Sequence, residues 1–319
     1  MNKQPTDRRA LIVGAAGFVG KYLADELNAA GGWSVCVTKM PQEALSIASV
    51  TAYDLNILDR VAVDTLLAEL RPEVIFHLAA QSSVAVSWKN PGLTVDVNIK
   101  GTLNLLDAVR DCGFSPRVLL IGSSEEYGAV VPEEIPVKET TLPRPGNIYA
   151  VTKNTQNQLG RLYAQAYGLD ILSTRSFNHI GPNQTPLFVV ADFCRQVVEI
   201  EKGRHEPVLQ VGNLSAKRDF TDVRDVVRAY RLLALTGEKG ETYNVGQGKA
   251  VEINAILQMI LSLSKETIQV EIGPAKLRPV DVPIIEADIS KLQKATGWKP
   301  EISLGQTLEE TLTYWRNQA

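Results

Sequence analysis

The chain has 319 residues, 45% hydrophobic and 22% charged, and its 33 Lys and Arg against 36 Asp and Glu give a formal net charge of −3. That length supports a large core and roughly two domains, and the composition is that of a globular protein rather than a disordered or fibrous one. With no basic surplus, nucleic acid and an anionic membrane surface are excluded as expected partners, although a few local arginines suffice to hold an anionic small molecule.

In chain order, the polar stretch from Met1 to Arg9 lacks the apolar segment of a signal peptide, and no run approaches the roughly eighteen apolar residues of a membrane span, so the cytoplasm is the expected location. An apolar run at residues 10–13 predicts a buried strand, followed by a glycine turn and a helix through residue 29. Strands are expected at 34–38 and 50–54, a helix at 60–70, a strand at 74–78, one helix at 91–111 opened by Pro91, a strand at 117–121, a helix at 149–167 and a strand at 170–176. Continuous apolar strands alternating with helices predict an α/β fold of Rossmann type, a doubly wound parallel sheet covered on both faces. Beyond residue 178 the rhythm weakens. Helices are expected at 189–202, 223–235, 253–263, 289–296 and 304–316, with short strands such as 208–211 and 242–245 between them. The division this implies is a dinucleotide-binding domain over residues 1–177, with later crossings into it allowed, and a smaller C-terminal α/β cap formed mainly by 178–319. Cys36, Cys112 and Cys194 are widely spaced and read as reduced structural thiols, and His77, His179 and His205 are too scattered for a metal site.

The turn after the first strand reads Gly14-Ala15-Ala16-Gly17-Phe18-Val19-Gly20. Glycines at this spacing permit a sharp turn, let the backbone approach a pyrophosphate and allow close strand–helix packing, while the helix N-terminus stabilises negative charge. Gly14, Gly17, Phe18, Val19 and Gly20 are therefore candidate cofactor residues. An NAD site usually places an acid at the end of the second strand, to bond the ribose 2′-hydroxyl. Here Val35-Cys36-Val37-Thr38-Lys39 contains none, and Lys39 is placed to offset a 2′-phosphate. NADP(H) is the expected cofactor, with NAD(H) possible. The competing reading makes Lys39 an ordinary surface lysine.

Tyr149 and Lys153 lie four apart on the helix that follows the 117–121 strand, hence on one helical face. An ammonium beside a phenol favours the phenolate, which lowers the phenol pKa and makes it a usable acid or base. The 117–121 strand runs into Ser123, whose hydroxyl would stand at the sheet edge where open α/β sheets bind ligands.

With these pieces together the chain resembles the extended short-chain dehydrogenase/reductases over essentially its whole length. The resemblance is carried by the glycine loop, Asp54-Leu55, His77-Leu78-Ala79-Ala80-Gln81, Asn98 with Gly101-Thr102, Ser123-Ser124-Glu125-Glu126-Tyr127-Gly128, Tyr149 with Lys153, and Arg175-Ser176-Phe177-Asn178-His179. It implies a catalytic trio of Ser123, Tyr149 and Lys153, the last two also holding the cofactor. It implies Asp54 and Leu55 beside the adenine, Leu78, Ala79 and Ala80 lining the cofactor cleft, His179 near the nicotinamide, and Asn178 on the sugar-nucleotide phosphates. Within the family the likeness runs to GDP-mannose 4,6-dehydratases and GDP-6-deoxy-4-keto-D-mannose reductases, through residues 81–87, 177–179, 211–213 and 217–220. This implies a GDP-linked deoxyhexose substrate, with Arg218 and Arg278 clamping the diphosphate and Ser83 and Asp281 among the substrate residues. Alternatively, Arg218 pairs with Asp219 or Asp222, and Arg278 with Asp281.

Dehydratases of this type carry Thr-x-Glu, whose glutamate removes the C5 proton. Here Ser123 replaces the threonine, while Glu125 keeps the spacing and joins the catalytic candidates. The long insertion after the second strand that dehydratases carry is missing. The expected function is therefore NADPH-dependent reduction of the C4 keto group of GDP-4-keto-6-deoxy-D-mannose to GDP-D-rhamnose, or to its C4 epimer GDP-6-deoxy-D-talose if hydride reaches the opposite face. The alternatives are a GDP-mannose 4,6-dehydratase and, in another class, a non-catalytic dinucleotide-binding redox sensor. The resemblance also implies a homodimer built through helices 91–111 and 149–167.

Overall fold

The computed structural model of the chain describes residues 7–45, 47–276 and 282–318. Its opening apolar runs become β1 (Arg8–Val13), β2 (Trp33–Lys39), β3 (Thr51–Asp54), β4 (Val74–His77), β5 (Arg117–Ser123) and β6 (Ile171–Ser176). Among them lie α1 (Phe18–Ala30), α2 (Arg60–Leu70), α3 (Val84–Lys89), α4 (Pro91–Val95), α5 (Gly101–Asp111) and α6 (Ile148–Tyr167). The second half supplies β7 (Asn178–Ile180), β8 (Val208–Val211), β9 (Lys217–Asp222), β10 (Thr242–Val245), β11 (Ala250–Glu252), β12 (Gln269–Ile272) and β13 (Ile284–Ile285), with α7 (Val189–Glu201), α8 (Val223–Thr236), α9 (Ile253–Ser262), α10 (Ser290–Thr296) and α11 (Leu304–Gln318).

Seven strands form one parallel sheet in the order β10-β6-β5-β4-β1-β2-β3. The strand order reverses at β1, between β2 and β4, which is where a doubly wound sheet opens a crevice at the carboxyl ends of its strands. The chain re-enters this sheet after leaving it. β10 pairs with β6, and α8 contributes Val226, Tyr230 and Leu233 to the core that also holds Ile12, Leu23 and Val37. Helix α8 thus packs with the large sheet and β10 extends it, although both follow residue 177. The cap encloses a separate core of Phe193, Val197, Leu209, Ile256, Leu257 and Leu312. There β9 is flanked by β11 and β13 and also pairs with β7, while β8 and β12 form a two-stranded parallel pair.

The single helix expected at 91–111 is interrupted. Between α4 and α5 the chain makes a wider turn over Asp96–Lys100, where the N–H of Gly101 donates to the carbonyl of Asp96, five residues back. Such a turn inserts one residue into the helix and re-aims a side chain. The side chain concerned is Asn98, which is fully buried. It donates to the Gln81 carbonyl (3.0 Å) and to Thr152 Oγ1 (2.9 Å), and accepts from the Gln81 N–H (2.8 Å). These polar bonds hold the loop after β4 against α6, and no periodicity of apolar residues registers them.

Candidate active site

Gly14 has φ +85°, and a Cβ there would come within 2.6 Å of the Ala79 Cα, so only glycine lets the β1 turn pass the loop after β4. A Cβ on Gly20 would meet the Ala15 carbonyl at 2.2 Å, so this glycine seats α1 on the turn. Gly17 is different: a Cβ would find only the Gly14 carbonyl, at 3.9 Å. Gly17 is the N-cap of α1, with no side-chain cap and no acid in the first turn. The helix start is thus open to an anion, the arrangement a pyrophosphate needs. Thr38 holds the turn from the side, its Oγ1 accepting the Gly14 N–H (3.0 Å) and its carbonyl the Ala15 N–H (2.7 Å). The one sequence signal for Thr38 is a hydroxyl in a buried strand beside Lys39. Phe18 stacks on His179 with ring centroids 6.2 Å apart and planes 2° from parallel. The His179 ring accordingly flanks the first turn of α1, and burial lowers its pKa. Leu78, Ala79 and Ala80 are half-buried along the same crevice.

At the adjoining strand ends, Lys39 Nζ lies 2.6 Å from Asp54 Oδ1, and the Leu55 N–H donates to the Lys39 carbonyl at 2.8 Å. Two residues assigned from sequence to different parts of the adenosine pocket are therefore one ion pair. The lysine side chain is 19% exposed and the aspartate 57%. In so open a setting the pair is weak, and a dianionic phosphate arriving there would compete for the ammonium.

Ser123 and Tyr149 stand together at the carboxyl end of β5, both largely buried, with the Ser123 side chain near enough to the phenol to favour its ionised form. Burial is the main cause raising the phenol pKa; Ser123 opposes it, and the charges of Glu125 and Glu126 add to it. The expected depression by Lys153 is not found. Lys153 Nζ donates instead to the Ile121 carbonyl (2.7 Å) and to Gln156 Oε1 (3.0 Å), and burial lowers its own pKa to about 8. A neutral, proton-carrying phenol beside a serine hydroxyl suits donation to a carbonyl oxygen. Glu125 is half-buried, and its Oε2 accepts from Asn147 Nδ2 at 2.9 Å. The capping role of Asn147 and the buried partners of Lys153 were not read from sequence.

On the substrate side, Asn178 is exposed on β7, and Ser83 accepts the Val86 N–H as the N-cap of α3. Arg218 lies on β9 with Nη1 donating to the Lys217 carbonyl (2.9 Å). The two acids considered as its partners are engaged by other groups. Asp219 accepts the backbone N–H groups of Gln247 (2.6 Å), Gly248 (2.9 Å) and Ala287 (3.1 Å), while Asp222 takes Arg224 at 2.7 Å. Arg278 and Asp281 lie outside the described residues.

The family model for GDP-mannose 4,6 dehydratase matches residues 11–311. A GDP-6-deoxy-D-mannose reductase of Pseudomonas aeruginosa is 34% identical over 311 positions, covering 98% of each chain. A GDP-mannose 4,6-dehydratase of Vibrio cholerae serotype O1 is 30% identical over 354 positions, covering 97% of this chain and 94% of that one. Among solved structures, that of RMD from Pseudomonas aeruginosa complexed with NADPH superposes with a TM-score of 0.87 at 33% identity, over 98% of this chain and 100% of that one.

The position of Lys153 sets a pH dependence. With a pKa lowered from 10.5 to about 8, the side chain is an ammonium below that pH and loses its charge as pH rises through it. Dinucleotide affinity, followed by fluorescence titration, is expected to hold up to about pH 7.5 and to decline above it, as the ammonium is lost near 8. Lys153→Arg, which stays charged, should remove the decline.

Proposed function

Within the GDP-mannose 4,6 dehydratase family, to which this chain belongs, we propose that it is the NADPH-dependent reductase of a GDP-4-keto-6-deoxyhexose, converting GDP-4-keto-6-deoxy-D-mannose to GDP-D-rhamnose. The chain is an oxidoreductase of the extended short-chain dehydrogenase/reductase fold, and reductase and dehydratase chemistry on GDP-sugars are both found among its relatives. The observation that carries the choice is length. The alignment to the reductase spans 311 positions, fewer than the chain's 319 residues, whereas the alignment to the dehydratase spans 354, more than the chain contains. The dehydratase alignment therefore includes extra segments, and between β2 and β3 this chain has only residues 40–50.

The residues suit the cofactor. The open N-terminus of α1 with Gly14, Gly17 and Gly20 would hold the pyrophosphate, Lys39 the 2′-phosphate, Asp54 and Leu55 the adenine, and Lys153 the nicotinamide ribose. When bound, NADPH supplies the hydride for C4. Tyr149 gives its proton to O4 as negative charge develops there, and the Ser123 hydroxyl bonds the same oxygen. Burial keeps Tyr149 protonated until that moment and excludes water, so each bond acts in a medium of low dielectric. Arg218, with Arg278, would take the diphosphate through bidentate contacts, and Ser83, Asn178 and Asp281 would complete the substrate side.

The structure also offers a surface for pairing. Val151 and Leu162 on α6 are 47% and 56% exposed and, eleven residues apart, project from the same side of the helix, and we propose that two copies join through this face. Leu162→Glu is expected to shift sedimentation from dimer to monomer; a monomeric wild type would remove the proposal.

The function is tested by mixing the protein with GDP-4-keto-6-deoxy-D-mannose and NADPH. Coenzyme should be consumed mole for mole, while GDP-mannose alone should not react. Tyr149→Phe should fold and lose about 10²–10⁴-fold in turnover, the range for a general acid. Formation of the 4-keto-6-deoxy sugar from GDP-mannose without added NADPH would select the dehydratase instead. Lys39→Asp puts a second carboxylate beside Asp54 and should weaken NADPH about ten- to a hundredfold, as loss of a charge-assisted bond does, while NADH affinity changes little. Equal loss for both coenzymes would show that Lys39 does not contact the phosphate.

A further inference from the structure

Hydride transfer to a C4 ketone needs one proton, which Tyr149 supplies, and this leaves Glu125 with no chemical step. Its bonds give it another task. The Glu125 backbone N–H donates to Ser123 Oγ at 3.2 Å. Its Oε2 accepts from Asn147 Nδ2 at 2.9 Å. Asn147 is the N-cap of α6, and its Oδ1 accepts the Ala150 N–H at 2.8 Å. Ala150 directly follows Tyr149. One continuous run of hydrogen bonds thus joins the serine at the end of β5 to the first turn of the helix that carries the tyrosine.

We propose that Glu125 is a positioning residue that, through Asn147, sets the place of Tyr149 relative to Ser123. The cap alone would orient α6; the carboxylate of Glu125 ties that cap to the strand end that carries Ser123. With the amide of Asn147 held at one end by a carboxylate and engaged at the other with the helix backbone, the cap has one orientation. The negative charge also sits near the helix N-terminus, where it is favoured. The proposal rests on the reductase reading, in which no C5 proton is removed.

The two roles open to Glu125 have different requirements. A base needs a carboxylate; a positioning residue needs only an acceptor for Asn147 Nδ2. Glu125→Gln keeps the acceptor, and Glu125→Ala removes it. Misplacement of a reacting group by about 1 Å costs on the order of a hundredfold, so Glu125→Ala should lower kcat about ten- to a hundredfold with KM for the keto sugar within about twofold. Glu125→Gln should stay within about fivefold of wild type, since a neutral bond replaces one roughly twice as strong.

Asn147→Ser covers the case in which Glu125→Ala does not fold. Serine caps a helix by itself but has no amide to reach Glu125, so kcat should fall as in Glu125→Ala while melting temperature and coenzyme affinity stay near wild type. The double variant Glu125→Ala/Asn147→Ser should be no slower than either single variant by more than about twofold, as expected for two residues acting in one link. Equal loss in Glu125→Gln and Glu125→Ala would overturn the proposal, as would wild-type kcat in Asn147→Ser. Failure of wild type to oxidise NADPH with the keto sugar would count against the reductase reading alone. The same Gln-to-Ala comparison would then be read on conversion of GDP-mannose, with the same outcome overturning the positioning role.

Discussion

Beneath the catalytic serine lies a carboxylate with no exposed surface. Glu126 accepts the Ser123 N–H (3.0 Å) on one oxygen, and Arg175 Nε (3.0 Å) and Asn157 Nδ2 (3.2 Å) on the other. Burial raises its pKa, against which the Arg175 charge and the Ser123 N–H work. A buried ion pair is poor evidence of net stability, but removing one partner strands a charge at a cost of about 3–5 kcal/mol. The arrangement therefore acts as a constraint, because every neighbour must keep its place for the pair to be satisfied. Arg175 lies over the Tyr127 ring at 4.6 Å and donates to the Glu139 carbonyl, Tyr127 OH donates to Asn244, and Thr242 donates to Asn157. β5, β6, β10 and α6 are thereby locked at one depth. Gly122 shows how tight the packing is, since a Cβ there would stand 2.2 Å from the Thr174 carbonyl and 2.5 Å from Glu126 Oε1.

That brace explains the return of the chain to the sheet. Asn244 belongs to β10 and bonds groups from residues 127, 137 and 139, all in the loop between β5 and α6. The loop must travel from the serine to the helix bearing the tyrosine, and without β10 its buried polar groups would lack partners. On the other side of α6, Asn98 does similar work, so the widened turn between α4 and α5 and the re-entrant strand both serve to hold one helix.

The coenzyme end is built differently. Its contacts are backbone amides at a helix start, a threonine bracing the turn, and an exposed ion pair between Lys39 and Asp54. Tight burial marks the part of the site where a proton moves, and open, exchangeable charge marks the part where a diffusible anion is to be recognised. Low dielectric strengthens bonds to developing charge, whereas a group that must be vacated and refilled has to stay near water.

Much of this was legible in the sequence wherever the physics is local. The apolar runs gave the parallel strands, glycine spacing marked the anion-binding turn, and a four-residue interval put Tyr149 and Lys153 on one face of α6. Each of these depends on a repeat of a few residues or on a backbone angle that only glycine readily adopts. The broken helix at 91–111, the strand that rejoins the sheet, the pairing of Lys39 with Asp54 and the high pKa of Tyr149 were not legible. Those features come from contacts between residues fifteen to more than a hundred positions apart, and from how far burial removes each polar group from water. Sequence determined which chemical groups the protein possesses and which local elements carry them; tertiary structure decided which groups meet, because buried charges and hydrogen-bonding groups take whatever partners the packing of distant elements brings within reach.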